Sequence, residues 1–164
     1  NPTLICTYAA CQGLFLGGIT WIIEYQYNAP GLGIVAAVLT FLILGVMLSI
    51  YRAGLISWNK NMQIAVTSSM VAILLIYLVS FIGSFVGFEV PLIHGNGAVG
   101  IAFSVFVVGI ASLCLVADFD FIERGVERGA PKQLEWRAAF GLLVTLIWLY
   151  LEILKLLAKL ASRR

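Results

Sequence analysis

Residues 61–88, NMQIAVTSSMVAILLIYLVSFIGSFVGF, contain no Asp, Glu, Lys or Arg. An uncharged apolar run of ~18 residues or more marks a candidate membrane-spanning helix, because twenty residues at 1.5 Å each cover the ~30 Å hydrocarbon layer. Two neighbours repeat the pattern, residues 28–51 and 90–117, also without an ionisable Asp, Glu, Lys or Arg. Over the whole chain of 164 residues, 62% are hydrophobic and 11% charged, against about 25% charged in an ordinary globular domain. No soluble core of this size requires so much apolar side chain.

Reading outward from this stretch gives five apolar segments, at residues 4–23, 31–51, 64–88, 98–117 and 138–157. The links at 24–30, 52–61, 87–97 and 118–137 hold the turn residues and charges that end a span. Lipid leaves no water to satisfy an open backbone, so the segments are predicted to be helices. The fold expected is all-α, a polytopic transmembrane helix bundle of five spans in one transmembrane domain. The chain opens on Asn1-Pro2, with no initiator Met and no basic region before the first apolar run, and an N-terminal portion is expected to be missing.

Lys and Arg concentrate in two links, Arg52 and Lys60 in one and Arg124, Arg128, Lys132 and Arg137 in the other, while 24–30 and 87–97 have neither. The positive-inside rule makes the first two cytoplasmic and the others external, with a cytoplasmic N-terminus. A full crossing by the last segment then puts Lys155, Lys159, Arg163 and Arg164 outside, against the rule, and the alternative is a re-entrant segment. A full span is expected.

Several classes are excluded. A net charge of +2 with no dense Lys/Arg run argues against a nucleic-acid partner. Cys6, Cys11 and Cys114 lie in apolar stretches without paired spacing or a nearby His, so they read as small packing residues. His94 is a lone imidazole in an external link and reads as solvated. Gly13, Gly17 and Gly18, Gly83 and Gly87, and Gly97 and Gly100 recur at spacings that let helix backbones approach closely. Trp21, Tyr25, Tyr27, Tyr51, Trp58 and Trp136 stand where interfacial anchors are found. No Ser-His-Asp set is present, Asp118 and Asp120 lie on one helix pointing different ways, and no enzyme activity or cofactor is expected.

The remaining chemistry is acidic. If the fourth helix runs past Ala117, Asp118, Ile122 and Gly125 share a face, with Asp120, Glu123, Arg124 and Glu127 on others. Gly129 and Pro131 then read as helix stop and restart. In the last segment Glu152 follows an uninterrupted apolar run and precedes Lys155 and Lys159. Two readings stand: a helix-end salt pair of Glu152 with Lys155, or an intramembrane carboxylate that faces the bundle interior and marks a proton or ion pathway.

The opening residues 8–17 (YAACQGLFLG), the stretch Ala117-Asp118-Phe119-Asp120 and the closing residues 148–157 (WLYLEILKLL) resemble the Bax inhibitor-1 family, which includes bacterial YccA-like proteins. Gly129-Ala130-Pro131-Lys132, with Glu135-Trp136 and Phe140-Gly141, is most similar to its actinobacterial branch. The resemblance covers essentially the whole chain. It implies a seven-helix fold of which these spans are the third to seventh, in a bacterial cytoplasmic membrane, and a pH-sensitive calcium leak as the activity. It also implies that Asp118 and Glu152 are the family's paired carboxylates, sharing a proton and acting as the proton or ion gate. Asp120, Gln12 and Glu123 are supporting candidates, and calcium or protons are the ions implied. Gln12 stands where many members carry a titratable Glu, and Glu152 where Asp is usual. Depth argues against direct pairing: with a turn near Ala130, Asp118 is ~18 Å and Glu152 ~33 Å from it along their helices, so contact requires a break or unwinding in one of them or a loop that absorbs residues 130–137. The other function implied is a non-transporting membrane protein that modulates a protease or stress-signalling partner, with structural acids.

Overall fold

In a hydrocarbon layer every backbone amide must find its partner within the chain, and five long helices meet that requirement here. A computed structural model describes residues 2–56, 58–88 and 98–162. The helices are α1 (Pro2–Gln26), α2 (Leu32–Arg52), α3 (Lys60–Val86), α4 (Ala98–Glu127) and α5 (Gln133–Ser162). All five are long and apolar enough to cross a membrane, and no strand occurs among the described residues. The all-α, five-span architecture expected above is the one found.

The hairpin of α4 and α5 forms the most extensive helix interface, and α2 packs against both of its arms. Their meeting line holds Ala36 and Met47 of α2, Ala111, Leu115, Val116 and Phe119 of α4, and Leu149, Ile153 and Leu154 of α5, all buried. A smaller cluster joins α3 to α4 through Ile73, Val107 and Ile110, with Tyr77 and Trp148 against it. Helix α1 rests on α2 and α5 and buries none of its residues. Its exposed Leu14 and Phe15, like Phe81 and Phe85 of α3, suit an acyl-chain surroundings that a soluble protein lacks.

Helix ends explain the link geometry. Asn59 caps α3 by accepting from the Met62 amide at 2.8 Å. Gly87 ends α3 in the left-handed region (φ 89°), and Gly83 lies under that cap, its carbonyl accepting from the Phe88 amide at 2.7 Å. Those two glycines therefore serve a helix C-terminus instead of an interhelical contact. Gly13, Gly17 and Gly18 also have open space around them. The close helix approach falls on Gly33, where a methyl group would run into Thr20 Cγ2 and come to 3.2 Å from Glu24 Oε1 and 3.4 Å from the Tyr150 hydroxyl. Gly97 and His94 lie outside the described residues.

Helix α4 runs ten residues past Ala117, and Gly129 (φ 62°) turns the chain, with the Ala130 amide donating to the Gly125 carbonyl at 2.9 Å. Helix α5 then continues unbroken from Gln133 to Ser162. A re-entrant segment needs a reversal, and none interrupts this helix. Among the cysteines, Cys114 is buried beside Met70 (3.4 Å between sulfurs), whereas Cys6 and Cys11 are exposed on α1.

Candidate functional site: two carboxylates at different levels

Heptad-like spacing carries Glu152, Lys155 and Lys159 onto one side of α5, because positions three, four and seven apart share a helix face. That side meets α3 and α4. Glu152 is 3% exposed. Its two oxygens accept from the Tyr77 hydroxyl of α3, at 2.9 and 3.1 Å. The Lys155 ammonium is 3.6 Å from Glu152 Oε1, 3.4 Å from the Tyr77 hydroxyl and 4.6 Å above the Tyr77 ring centroid. Glu152 thus has the adjacent lysine as a counter-ion and is also buried against α3. Lys155 remains half exposed, whereas Glu152 is buried.

One turn beyond, Lys159 is 9% exposed. Its ammonium donates to the Ser104 hydroxyl at 2.7 Å and to the Gly100 carbonyl at 3.2 Å, both on α4. Buried polar groups need such partners, since an ammonium stripped of water without replacement is costly.

Asp118 lies elsewhere. It faces α5 at Gly141, whose added methyl would sit 3.8 Å from Asp118 Oδ1. Thr145 is the neighbouring hydroxyl, but it donates to the Gly141 carbonyl at 3.0 Å. Asp118 Oδ2 is buried with no hydrogen-bond partner. The hairpin accounts for this level: Asp118 precedes the turn by about as many residues as Gly141 follows it. Glu152 is seven residues beyond Thr145, roughly 10 Å further along α5. With α4 and α5 both unbroken, Asp118 and Glu152 do not meet, and no proton is shared between them in this structure.

Gln12 of α1 donates through Nε2 to the Tyr8 hydroxyl at 3.1 Å, and its Oε1 is buried without a partner. Tyr8 packs edge-on against Phe140 of α5, with ring centroids 5.1 Å apart, and Thr20, three turns on, meets Tyr150 hydroxyl to hydroxyl at 2.6 Å. Helix α1 therefore runs alongside α5 in the same direction, and Gln12 comes level with the Gly141–Thr145 turn opposite Asp118. The two orphaned acceptors, Gln12 Oε1 and Asp118 Oδ2, belong to one layer of the bundle. Asp120 pairs with Arg124 one turn away at 2.9 Å, and Glu123 accepts a short hydrogen bond from Tyr51 of α2. These two acids secure the exposed end of α4.

Tyr77 and Ser104 were not among the residues singled out from sequence, and Lys159 stood there only as a basic residue of the last segment. A tyrosine and a serine within uncharged runs carry no local sign of a partner 75 and 55 positions away. Glu24, whose Oε1 accepts from the Gly33 amide at 2.8 Å, is a further polar contact that only the packing of α1 on α2 reveals.

Compared with known proteins, residues 1–162 match the family model described as Bax inhibitor 1 like. No curated protein and no solved structure matches the chain significantly.

Proposed function

This chain belongs to the Bax inhibitor 1-like family, and from that premise we propose that it is a pH-sensitive cation leak, with calcium as the permeant ion and Asp118 and Glu152 as its titrating groups. The observation that carries this reading is the placement of two carboxylates in the interior of the α4–α5 hairpin, one with an unpartnered oxygen and the other held by a tyrosine and a lysine. Ionisable groups within spanning helices are costly and tend to line ion or proton routes. The same reading places the protein in a bacterial cytoplasmic membrane, as a relative of the actinobacterial branch.

The two acids act at separate levels. At the inner level, Asp118, Gln12 Oε1 and the Thr145 hydroxyl supply oxygen, the ligand type that hard cations such as calcium take. At the outer level, Glu152 holds Lys155 and Tyr77 against α5. Protonating Glu152 removes the charge that attracts Lys155, and protonating Asp118 turns one of its oxygens from an acceptor into a donor. Either change alters which contacts the helices make, which is the kind of local event that biases a gate. Since cations favour the ionised acids, flux is expected to rise with pH.

Calcium flux into proteoliposomes tests this, measured with the full-length protein as a function of pH. An Asp118→Asn, Glu152→Gln double variant is expected to hold flux low and flat with pH. Wild-type flux and pH response in that variant would overturn the assignment. Absence of flux from the wild type, with recovery of a stoichiometric membrane partner by crosslinking, would select the non-transporting reading.

A further inference from the structure

Beyond the span, the α4–α5 hairpin mixes apolar surface with charge. Phe121, Ile122, Val126 and Leu134 are exposed there among the charged residues of the basic link, and exposed apolar patches rimmed by polar groups mark membrane or ligand contacts. A cavity of 560 Å³ opens between the α2–α3 link and both arms of the hairpin. Its apolar lining includes Ala117, Phe121, Ile122, Leu134 and Ala138, and its charged lining is Asp120, Arg124, Arg128 and Glu135. Ala117 and Ala138 are where the two flanking apolar runs end and begin, so the cavity starts at the edge of the hydrocarbon layer and extends into the headgroup zone. Trp58, which also lines it, is a residue type that settles at that level. The charged lining balances, with two guanidiniums and two carboxylates. Asp120 fixes Arg124 through Nε at 2.9 Å, a contact that uses one of the guanidinium's five N–H groups. Arg128, just before the turn, and Glu135, in the first turn of α5, then add one charge of each sign. Such a lining matches a zwitterion better than an anion, which would find Glu135 beside it as a like charge.

We propose that this cavity binds an aminophospholipid of the phosphatidylethanolamine class, with its phosphate at Arg124 and Arg128, its primary ammonium at Glu135, and the upper part of its acyl chains along Phe121, Ile122 and Ala138. The planar fork of arginine suits a phosphate, and a primary ammonium offers a carboxylate three N–H donors. A phosphatidylcholine carries the same charges without an N–H, and a phosphatidylglycerol carries the phosphate without a cation, so both bind more weakly. The bilayer supplies the occupant at the depth where the cavity opens. A lipid seated there touches both arms of the hairpin and the α2–α3 link, and braces the turn that sets the levels of Asp118 and Glu152. The site stands on its own residues, whether or not the chain conducts ions.

Thermal unfolding of the full-length protein in detergent micelles tests the site, because a ligand that binds only the folded state raises Tm with its concentration. Dioleoyl phosphatidylethanolamine, phosphatidylcholine and phosphatidylglycerol are compared with O-phosphoethanolamine, the headgroup without chains. The expected result is a saturable rise in Tm that is largest with the ethanolamine lipid and absent with O-phosphoethanolamine. Arg128→Gln and Glu135→Gln, both at exposed positions, and Ala138→Leu, which fills the apolar side and leaves the charges in place, are each expected to abolish the excess of the ethanolamine over the choline lipid. The three variants act on different features, so one that fails to fold leaves the other two to decide. Equal rises from all three lipids would mean a general coating of apolar helices and overturn the site. A rise with the glycerol lipid as large as with the ethanolamine lipid would overturn the zwitterion assignment, and an equal rise with O-phosphoethanolamine would overturn the lipid. An ethanolamine excess that survives in the folded variants would contradict the cavity as its seat.

Discussion

Glu152 depends on a neighbour that its own stretch of sequence does not reveal. Tyr77 donates to both of its oxygens, so Tyr77→Phe leaves a buried carboxylate short of its principal neutral donor. That substitution is expected to lower stability by about 1–3 kcal/mol, read by chemical unfolding in micelles; an unchanged midpoint would mean that Lys155 alone satisfies the acid. The small residue with the sharpest steric requirement is Gly33. Gly33→Ala drives a methyl into Thr20 and crowds the Glu24 and Tyr150 oxygens, and is expected to cost about 1–3 kcal/mol. Gly141→Ala is the control: its methyl meets Asp118 at an ordinary 3.8 Å, so the change stays within ~0.5 kcal/mol or stabilises slightly. Asp118 was legible because charge reappears there after a long apolar run, although the helix continues nine residues beyond it. The role of Gly33 was not, since a glycine spaced for close approach is indistinguishable in sequence from Gly13 or Gly17, which approach nothing.

At the scale of the element, the α4–α5 hairpin sets the levels of both acids. Its turn uses Gly129 at φ 62°, a conformation that costs an L side chain roughly 1–2 kcal/mol. Gly129→Ala is expected to lose about 1 kcal/mol of stability with its spectroscopic helix content retained; a stability equal to wild type would show that the turn relaxes freely and does not fix the register. Gly129 and Pro131 were readable as stop and restart, and counting residues from that turn placed Asp118 and Glu152 at different depths. The continuous α5 upholds that count over the shared proton that the family resemblance implies. Gly83 and Gly87 show the limit of spacing arguments: a four-residue interval of glycines suits a helix contact and a helix cap equally, and the phenyl and backbone of Phe88 decide for the cap.

For the molecule as a whole, charge-free windows were enough to count the spans, because the hydrocarbon layer constrains length and composition so tightly. The order in which helices pack was not legible, as lipid-facing and helix-facing sides are equally apolar and no periodicity separates them. That order is what sets Tyr77 beside Glu152, Lys159 beside Ser104 and Gln12 at the level of Asp118. The central claim is that two acids at levels about 15 Å apart along the α4–α5 hairpin regulate cation passage separately. The most direct test measures calcium flux against pH in proteoliposomes for wild type, Asp118→Asn, Glu152→Gln and the double variant in one series. Groups that far apart without shared partners are expected to act additively, within about 0.5 kcal/mol, so each single variant removes part of the pH response and the double removes the sum. Single variants that each abolish the whole response would contradict separate action and indicate one coupled pair.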